Sequence, residues 1–276
     1  MKISMWVTVS DLVDVRQTVI EKIIDIFDKK HTAFQSYSHD HTFRLLKKAG
    51  IDGMELLIPL HTSDKNITDV MKIMDRYNIP VFSIHQSLSN QNRISYRDIQ
   101  RLCMVAQKFR ASVVVLHSGT LGTKLFDTEF VNSLKSLQKK YRVIFGIENM
   151  DKSFLPAESF TYNGDDFASI VKKMGFFMTF DTTHLAQVGE NIIDFYRANK
   201  KRIINIHLSN YKEKWLGKYL LPQMYTHLSL KDGELPMKKF LAMLKKENYK
   251  GLVTMETNSN LDELCESARF INKYIK

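Results

Sequence analysis

The sequence predicts a single α/β domain over residues 1–276, a closed (β/α)8 TIM barrel. Eight short, β-rich apolar runs alternate with amphipathic segments from one end to the other, which calls for parallel strands joined by right-handed helical crossovers. The length of 276 residues suits one barrel of about 250 residues with its loops. No Gly-x-Gly-x-x-Gly follows the first run, which removes the usual argument for an open dinucleotide-binding sheet.

The first run, "ISMWVTV" at 3–9, is rich in β-branched and aromatic residues, and a long connection at 10–40 follows it. "HTFRLLKKAG" then begins a helix near His41, and "GMELLI" (53–58) is the second strand. "ITDVMKIMDRYN" spaces its apolar residues by three and four and reads as the next helix. "PVFSI" (80–84) and "SVVVLH" (112–117) enclose the helical "YRDIQRLCMVAQKFR". "EFVNSLKSLQKKY" leads to "RVIFGI" (142–147). "NGDDFASIVKKMG" has acidic residues in its first turn, lysines in its last and Gly175 just past its end, all helix signals, and "FFMTF" (176–180) follows. After "RIINIH" (202–207), residues 208–235 show little periodicity. "MKKFLAMLKKENY" and "GLVTME" (251–256) complete the alternation. Connections as long as 10–40 and 208–235 in a compact barrel are usually functional.

Hydrophobic residues make up 44% of the chain and charged residues 25%, a globular composition. Forty Lys+Arg against thirty Asp+Glu leave a formal charge of +10. That balance suits an anionic partner, yet many lysines fall in helix patterns and read more simply as a solvated surface. Cys103 and Cys265 are too few and too far apart for a disulfide framework or a cysteine zinc motif. The start, "MKISMWVTVSDLVDV", lacks the apolar core and cleavage site of a signal peptide, and no window approaches a membrane span. A cytoplasmic protein without a membrane partner is expected.

The strands share one kind of ending. Strand three runs into His85, strand four into His117 and strand five into Glu148. Strand six meets Asp181 with His184 beyond it, strand seven meets His207 and strand eight meets Glu256. Glu55, inside "GMELLIP", falls one position short of the pattern. C-terminal strand ends of a barrel open on one face, so these runs aim carboxylates and imidazoles at one small volume. Grouped carboxylates repel and cost desolvation, and a divalent cation relieves both. Carboxylate and imidazole without thiolate suit Mn2+, Co2+, Zn2+, Mg2+ or Fe2+, and ligand type alone does not choose. His31, His39, His41 and His61 are not strand endings and read as loop or helix-start residues. Trp6 reads as core or pocket wall.

In chain order, "GMELLIP", "VVLHSG", "FGIENM", "MTFDTTHL", "INIHLSN" and "THLSLKDGELPMKKFLAMLKKENYKGLVTMET" resemble the xylose-isomerase-like barrel superfamily. That superfamily holds sugar-phosphate isomerases and epimerases and also metal-dependent apurinic/apyrimidinic endonucleases. The resemblance covers roughly residues 50–272. It implies a metal held by Glu148, Asp181, His207 and Glu256, with His184 on substrate oxygens. The endonuclease branch implies more ions, with His85 and His117 joining Glu148 at one and His184 joining His227 at another. Its further Asp, two residues before His227, is Tyr225 here, a poor ligand because a phenol titrates near pH ~10. Asn210 likewise stands where both branches often carry Asp. These departures favour the isomerase or epimerase branch over the nuclease.

The chemistry expected is proton removal beside a carbonyl, through an enediolate stabilised by the cation. Glu148 and Glu256 would take and return the proton, with His184 as relay or orienting group. His85, His117, His227 and Lys212 would contact the substrate, a sugar or sugar phosphate. Lys124, Lys212 and Lys214 are candidates for a phosphate, against a plain reading as surface lysines. Nucleic acid is the less favoured partner and a homo-oligomer is allowed; a lyase, dehydratase or other metal-dependent sugar enzyme on the same scaffold, and a barrel that binds without turnover, are the remaining classes.

Overall fold

The computed structural model describes residues 1–14, 34, 36–59, 62–87, 94–151, 159–213 and 225–275. Eight parallel strands pair in chain order and close on themselves: β1 (Lys2–Thr8), β2 (Gly53–Ile58), β3 (Val81–Gln86), β4 (Val113–His117), β5 (Ile144–Glu148), β6 (Phe177–Asp181), β7 (Ile203–Leu208) and β8 (Leu252–Met255). β1 pairs with β8 in parallel, with Ser4 beside Thr254, so the barrel has no free edge.

The expected strands are all present; six begin one or two residues later than the apolar runs, and four of those also end later. The polar residues are therefore ladder members and not caps beyond it. His117 is the register partner of Glu148, and Asp181 is the partner of His207. The backbone of a buried His or Asp pairs as well as that of a valine. β8 is shorter than its run. Glu256 lies just past its end, its N–H donating to Leu208 O at 3.2 Å.

One main helix lies in each connection: α1 (His39–Ala49), α2 (Asp64–Arg76), α3 (Tyr96–Phe109), α4 (Thr128–Tyr141), α5 (Gly164–Met174), α6 (Ile192–Asn199), α7 (Met237–Lys246), with α8 (Leu261–Ile275) after β8. Their starts follow capping chemistry. Ser63 and Ser95 form capping boxes with Asn66 and Asp98, and the Asn163 side chain accepts from the N–H of Asp166. Gly175 ends α5 in the left-handed conformation (φ 79°), as the sequence signals require. His41 sits in the first turn of α1, where Ser38 accepts its N–H at 3.3 Å. α8 packs on α7 and α1 and closes the ring, with Asn272 Nδ2 donating to Ala49 O at 3.1 Å.

Alternation along the strands separates two interiors. Val114, Leu116, Phe145, Ile147, Met178, Phe180, Ile206 and Val253 face the helices and are fully buried in the main apolar core. The opposite faces fill the barrel. There Val113, Val115 and Leu252 form a small separate apolar cluster. Ser4, Glu55, Ser83, Thr179, Asn205 and Thr254 are polar residues at 0% exposure. Gly146 belongs to this packing: a Cβ there would stand 2.4 Å from Thr179 Oγ1. Among the described residues no helix is long and apolar enough to cross a membrane. Both cysteines are buried and unpaired, as two scattered cysteines predict.

Candidate active site

β5 to β8 bring side chains at or just past their ends to one point. His207 Nδ1 lies 2.8 Å from Glu148 Oε1 and 2.6 Å from Glu256 Oε2. One ring nitrogen carries at most one proton, so it cannot satisfy two carboxylates; it is aligned on Glu148 alone. Asp181 arrives from β6 with an internal task. Its Oδ1 accepts the N–H of His184 at 2.6 Å and caps the short helix Thr182–Gln187. Asp181 Oδ2 and Glu256 Oε2 are buried with no aligned hydrogen-bond partner. Glu148, Asp181, His207 and Glu256 each offer one ligand atom, all within 4.8 Å of one another. Two buried carboxylate oxygens without donors and a third sharing one imidazole nitrogen are what a divalent cation would neutralise. The residues present fit such an ion.

Three further groups of possible ligands adjoin this one, the third being Glu55, His85 and His207. His85, His117 and Glu148 form the first; Asp181, His184 and His227 form the second. His85 Nδ1 donates to Gln86 O at 2.6 Å, since a carbonyl only accepts. Its Nε2 then faces Glu148 Oε2 at 3.1 Å, and His117 Nε2 faces the same oxygen at 3.4 Å. A neutral His85 would turn a lone pair toward the carboxylate, so either a proton or a cation belongs between them. His184 Nδ1 donates to Asn149 O at 2.9 Å, so Nε2 is the nitrogen that could accept or ligate. His227 sits edge-on to it, with ring centroids 5.2 Å apart. The His227 backbone is left-handed (φ 49°), a conformation uncommon outside glycine that tends to occur at functional sites.

The ionisation of the metal-free cluster follows from burial and charge. Burial pulls the His207 pKa down, but Glu55, Glu148 and Glu256 outweigh it and hold the imidazole well above its usual value. Burial alone would raise Glu148, yet the His207 charge and the bonds from His207 and His85 hold it well below the usual carboxylate range. Glu256 goes the same way, to about 2, because His207 offsets its burial. His184 rises to about 9: burial opposes the shift, but Asp181, Asp151, Glu148 and Glu256 together prevail. Burial dominates at Asp181, which is raised, and at His117, which falls to about 3.

Several residues that the strand-end pattern does not single out hold the site in shape. Asn149 clamps β5 to β6: its Oδ1 accepts from Asp181 N at 2.8 Å and its Nδ2 donates to Asp181 O at 3.1 Å. Gln86 fixes the end of β4, accepting the His117 N–H at 3.1 Å and donating to Thr120 at 2.8 Å. Glu55 reaches His207 Nε2 at 2.9 Å. Asp151 is buried and acts electrostatically on His184. The first two follow or end a strand, a signal present in "SIHQ" and "IENMD".

Other candidates fall elsewhere. Lys124 Nζ donates to Ile94 O at 2.9 Å and lies over the Phe130 ring, which ties its loop to the residues before α3. Lys212 is half-buried after β7, with its N–H donating to Tyr225 O. Asn210 does not stand in for a ligand carboxylate. Its Oδ1 accepts from Tyr211 and Leu235 N–H groups and its Nδ2 donates to Leu230 O, which shapes the loop that carries His227. A Cβ at Gly233 would fall 2.3 Å from that amide, which explains the glycine there. Half-buried Trp6 lies in β1. His31, His61, Lys214 and most of the 10–40 connection lie outside the described residues.

Fold and site together define a (β/α)8 barrel with groups of side chains able to hold a metal at its C-terminal mouth. A model of the xylose isomerase-like TIM barrel family matches residues 43–274, and the chain belongs to that family. A solved D-tagatose 3-epimerase-like protein is 21% identical and covers 100% of this chain and 97% of its own, with a TM-score of 0.65. A family 2 AP endonuclease from Brucella melitensis is 13% identical, with 99% and 98% covered and a TM-score of 0.67. A xylose isomerase-like barrel from Mycobacterium smegmatis, solved in complex with magnesium, is 14% identical, with 86% and 87% covered and a TM-score of 0.60.

Proposed function

We propose that this protein is a divalent-metal-dependent isomerase or epimerase of a small sugar or sugar phosphate, acting by proton transfer beside a carbonyl. The observation that carries the reading is the placement of Glu148 and Glu256. Both reach the same His207 nitrogen, yet Glu256 is 14% exposed and Glu148 only 1%. Two carboxylates therefore flank one ligand position, one inside the barrel and one at its open mouth. Glu256 would take the α-proton of a substrate bound at the mouth, and Glu148 would return it or balance the charge. His184 would hold a substrate hydroxyl through Nε2, and His227 beside it would line the same side. A cation held by Glu148, Asp181, His207 and Glu256 would supply Lewis-acid stabilisation of the developing oxyanion. Its identity among Mn2+, Co2+, Zn2+ and Mg2+ is not chosen by these ligands. Similarity to an epimerase-like barrel and to one holding magnesium supports the reading.

A second reading is a multinuclear phosphodiesterase acting on DNA. The first two adjoining ligand groups favour it, because each shares a carboxylate with the central one. Tyr225 in place of a further carboxylate weighs against it. The deciding experiment offers metal-loaded protein a panel of ketoses and ketose phosphates in D2O, and separately a duplex with an abasic site. Deuterium beside the carbonyl of at least one sugar, without incision, is expected. Incision without exchange would transfer the assignment to the nuclease.

A further inference from the structure

Glu55 is a fully buried carboxylate with no role in the reaction described above. It sits within β2, below the strand ends, at 0% exposure. Its two oxygens have different surroundings. Oε2 accepts from Ser83 Oγ at 2.6 Å and from Asn205 Nδ2 at 2.9 Å. Among the described residues, Oε1 meets His207 Nε2 alone, at 2.9 Å and out of hydrogen-bond alignment. Asn205 is fixed in turn, because its Oδ1 accepts from the Thr254 hydroxyl at 2.8 Å, and that hydroxyl meets Ser4 Oγ at 2.7 Å. The amide of Asn205 therefore cannot flip without losing one of these bonds.

We infer that Glu55 is a positioning residue that holds His207 in the Nε2–H tautomer and so presents the Nδ1 lone pair to the cation. The inference rests on the metal reading of the cluster. A ligating imidazole needs a lone pair on one nitrogen and a proton on the other, and a carboxylate behind the ring selects which. Here Nδ1 faces Glu148 and Glu256, and Nε2 faces Glu55 from the opposite edge. The chain Ser4, Thr254, Asn205, Glu55, His207 carries the orientation from the interior of the barrel to its mouth. A cation placed instead between Glu55, His85 and His207 would have to displace His85 Nε2 from Glu148.

The network makes Glu55→Gln a sharp test. Ser83 and Asn205 both donate, so they claim the amide oxygen of Gln and turn its NH2 toward His207 Nε2. His207 must then accept there and carry its proton on Nδ1, the nitrogen the metal needs. Metal affinity, read by competition with a chromophoric chelator, should fall by about 10–100-fold, the usual cost of losing such a partner. Long-range 15N–1H spectra of Zn2+-loaded protein, with the His207 signals assigned by their loss in His207→Asn, should show Nε2–H in the wild type. The metal-free Glu55→Gln variant at a pH where the ring is neutral should show Nδ1–H. Adding Asn205→Asp reverses the polarity of the neighbour: the introduced carboxylate accepts the Gln NH2, the Gln oxygen turns back to His207, and metal affinity should recover. An unchanged affinity in folded Glu55→Gln overturns the inference. So does a wild-type His207 that binds Zn2+ through Nε2, a measurement that needs no variant to fold. A wild type that binds no divalent metal removes the metal reading and this inference together. Wild-type binding with an indifferent Glu55→Gln removes the inference alone.

Discussion

Asp181 Oδ1 receives the backbone N–H of His184 at 2.6 Å, so the same carboxylate that faces the central ligand position also starts the helix bearing His184. Its second oxygen has no aligned donor. The two duties separate by substitution. Asp181→Asn keeps an oxygen for the cap but removes the charge, whereas Asp181→Ala removes both. Metal occupancy, by elemental analysis of protein purified without chelator, should collapse in both variants, and activity should go with it. Thermal stability of the metal-free forms should drop further in Ala than in Asn, by ~1 kcal/mol, the usual worth of an N-cap. Full metal content in either variant would remove Asp181 from the ligand set.

Proton competition sets the pH dependence of metal binding. In the metal-free cluster His207 is held well above its usual value by Glu55, Glu148 and Glu256 against the pull of burial. Ligation requires that proton to leave, so affinity should rise with pH by up to about tenfold per unit while the ring titrates. Calorimetric titrations in buffers of different ionisation heat should register proton release at neutral pH. No release would mean that His207 is already neutral before the metal arrives.

The same shifts predict the stability of the metal-free protein. His184, raised from 6.5 to about 9, contributes stability that is fully present below its unfolded value. That contribution is lost as pH climbs through the folded value, because the unfolded chain gives up the proton earlier. Chelated protein should therefore melt at a lower temperature at alkaline pH than near neutrality. A flat profile across that interval would show that the carboxylates around His184 do not hold it charged.

The number of ions separates the two functional readings. His85→Asn and His117→Asn remove the flanking group against Glu148 and leave the central four residues whole. For the isomerase reading, elemental analysis should give about one ion per chain in wild type and variants alike, with substrate affinity falling in the variants. A wild-type count of two or three that drops in each variant would favour the phosphodiesterase.

Much of this architecture is legible in the sequence, because its two signals are physically strong. Short β-rich apolar runs and three- and four-residue spacing locate the strands and helices, and acidic residues at the start and Gly175 at the end mark α5. The strand-end rule brings His85, His117, Glu148, Asp181, His207 and Glu256 to one mouth without any knowledge of pairing. It fails for Glu55 for a definite reason. That residue lies within a strand on the inward face, where the alternation looks the same whether the partner across the barrel is a valine or His207. Asn210 misleads in the opposite direction. Its position suggests a missing carboxylate, but its amide is bonded on both ends within the loop that carries His227. Such roles depend on contacts between residues far apart in the chain, which no local pattern encodes.

The last test concerns the residue at the open side of the cluster. If Glu256 is the base, Glu256→Gln keeps its size and one oxygen for ligation but cannot accept the proton. Exchange of the substrate's α-hydrogen with D2O should then fall by roughly 10²-fold or more, the usual scale for a positioned acid or base. The binding of substrate should change little, because the amide still fills the mouth. Metal content must be measured on the same preparation, since Glu256 Oε2 lies 2.6 Å from His207 Nδ1 and belongs to the ligand group. Lost exchange with retained metal would assign the proton to this carboxylate. An unaltered rate would pass the role to Glu148, which at 1% exposure could reach substrate only from inside the barrel.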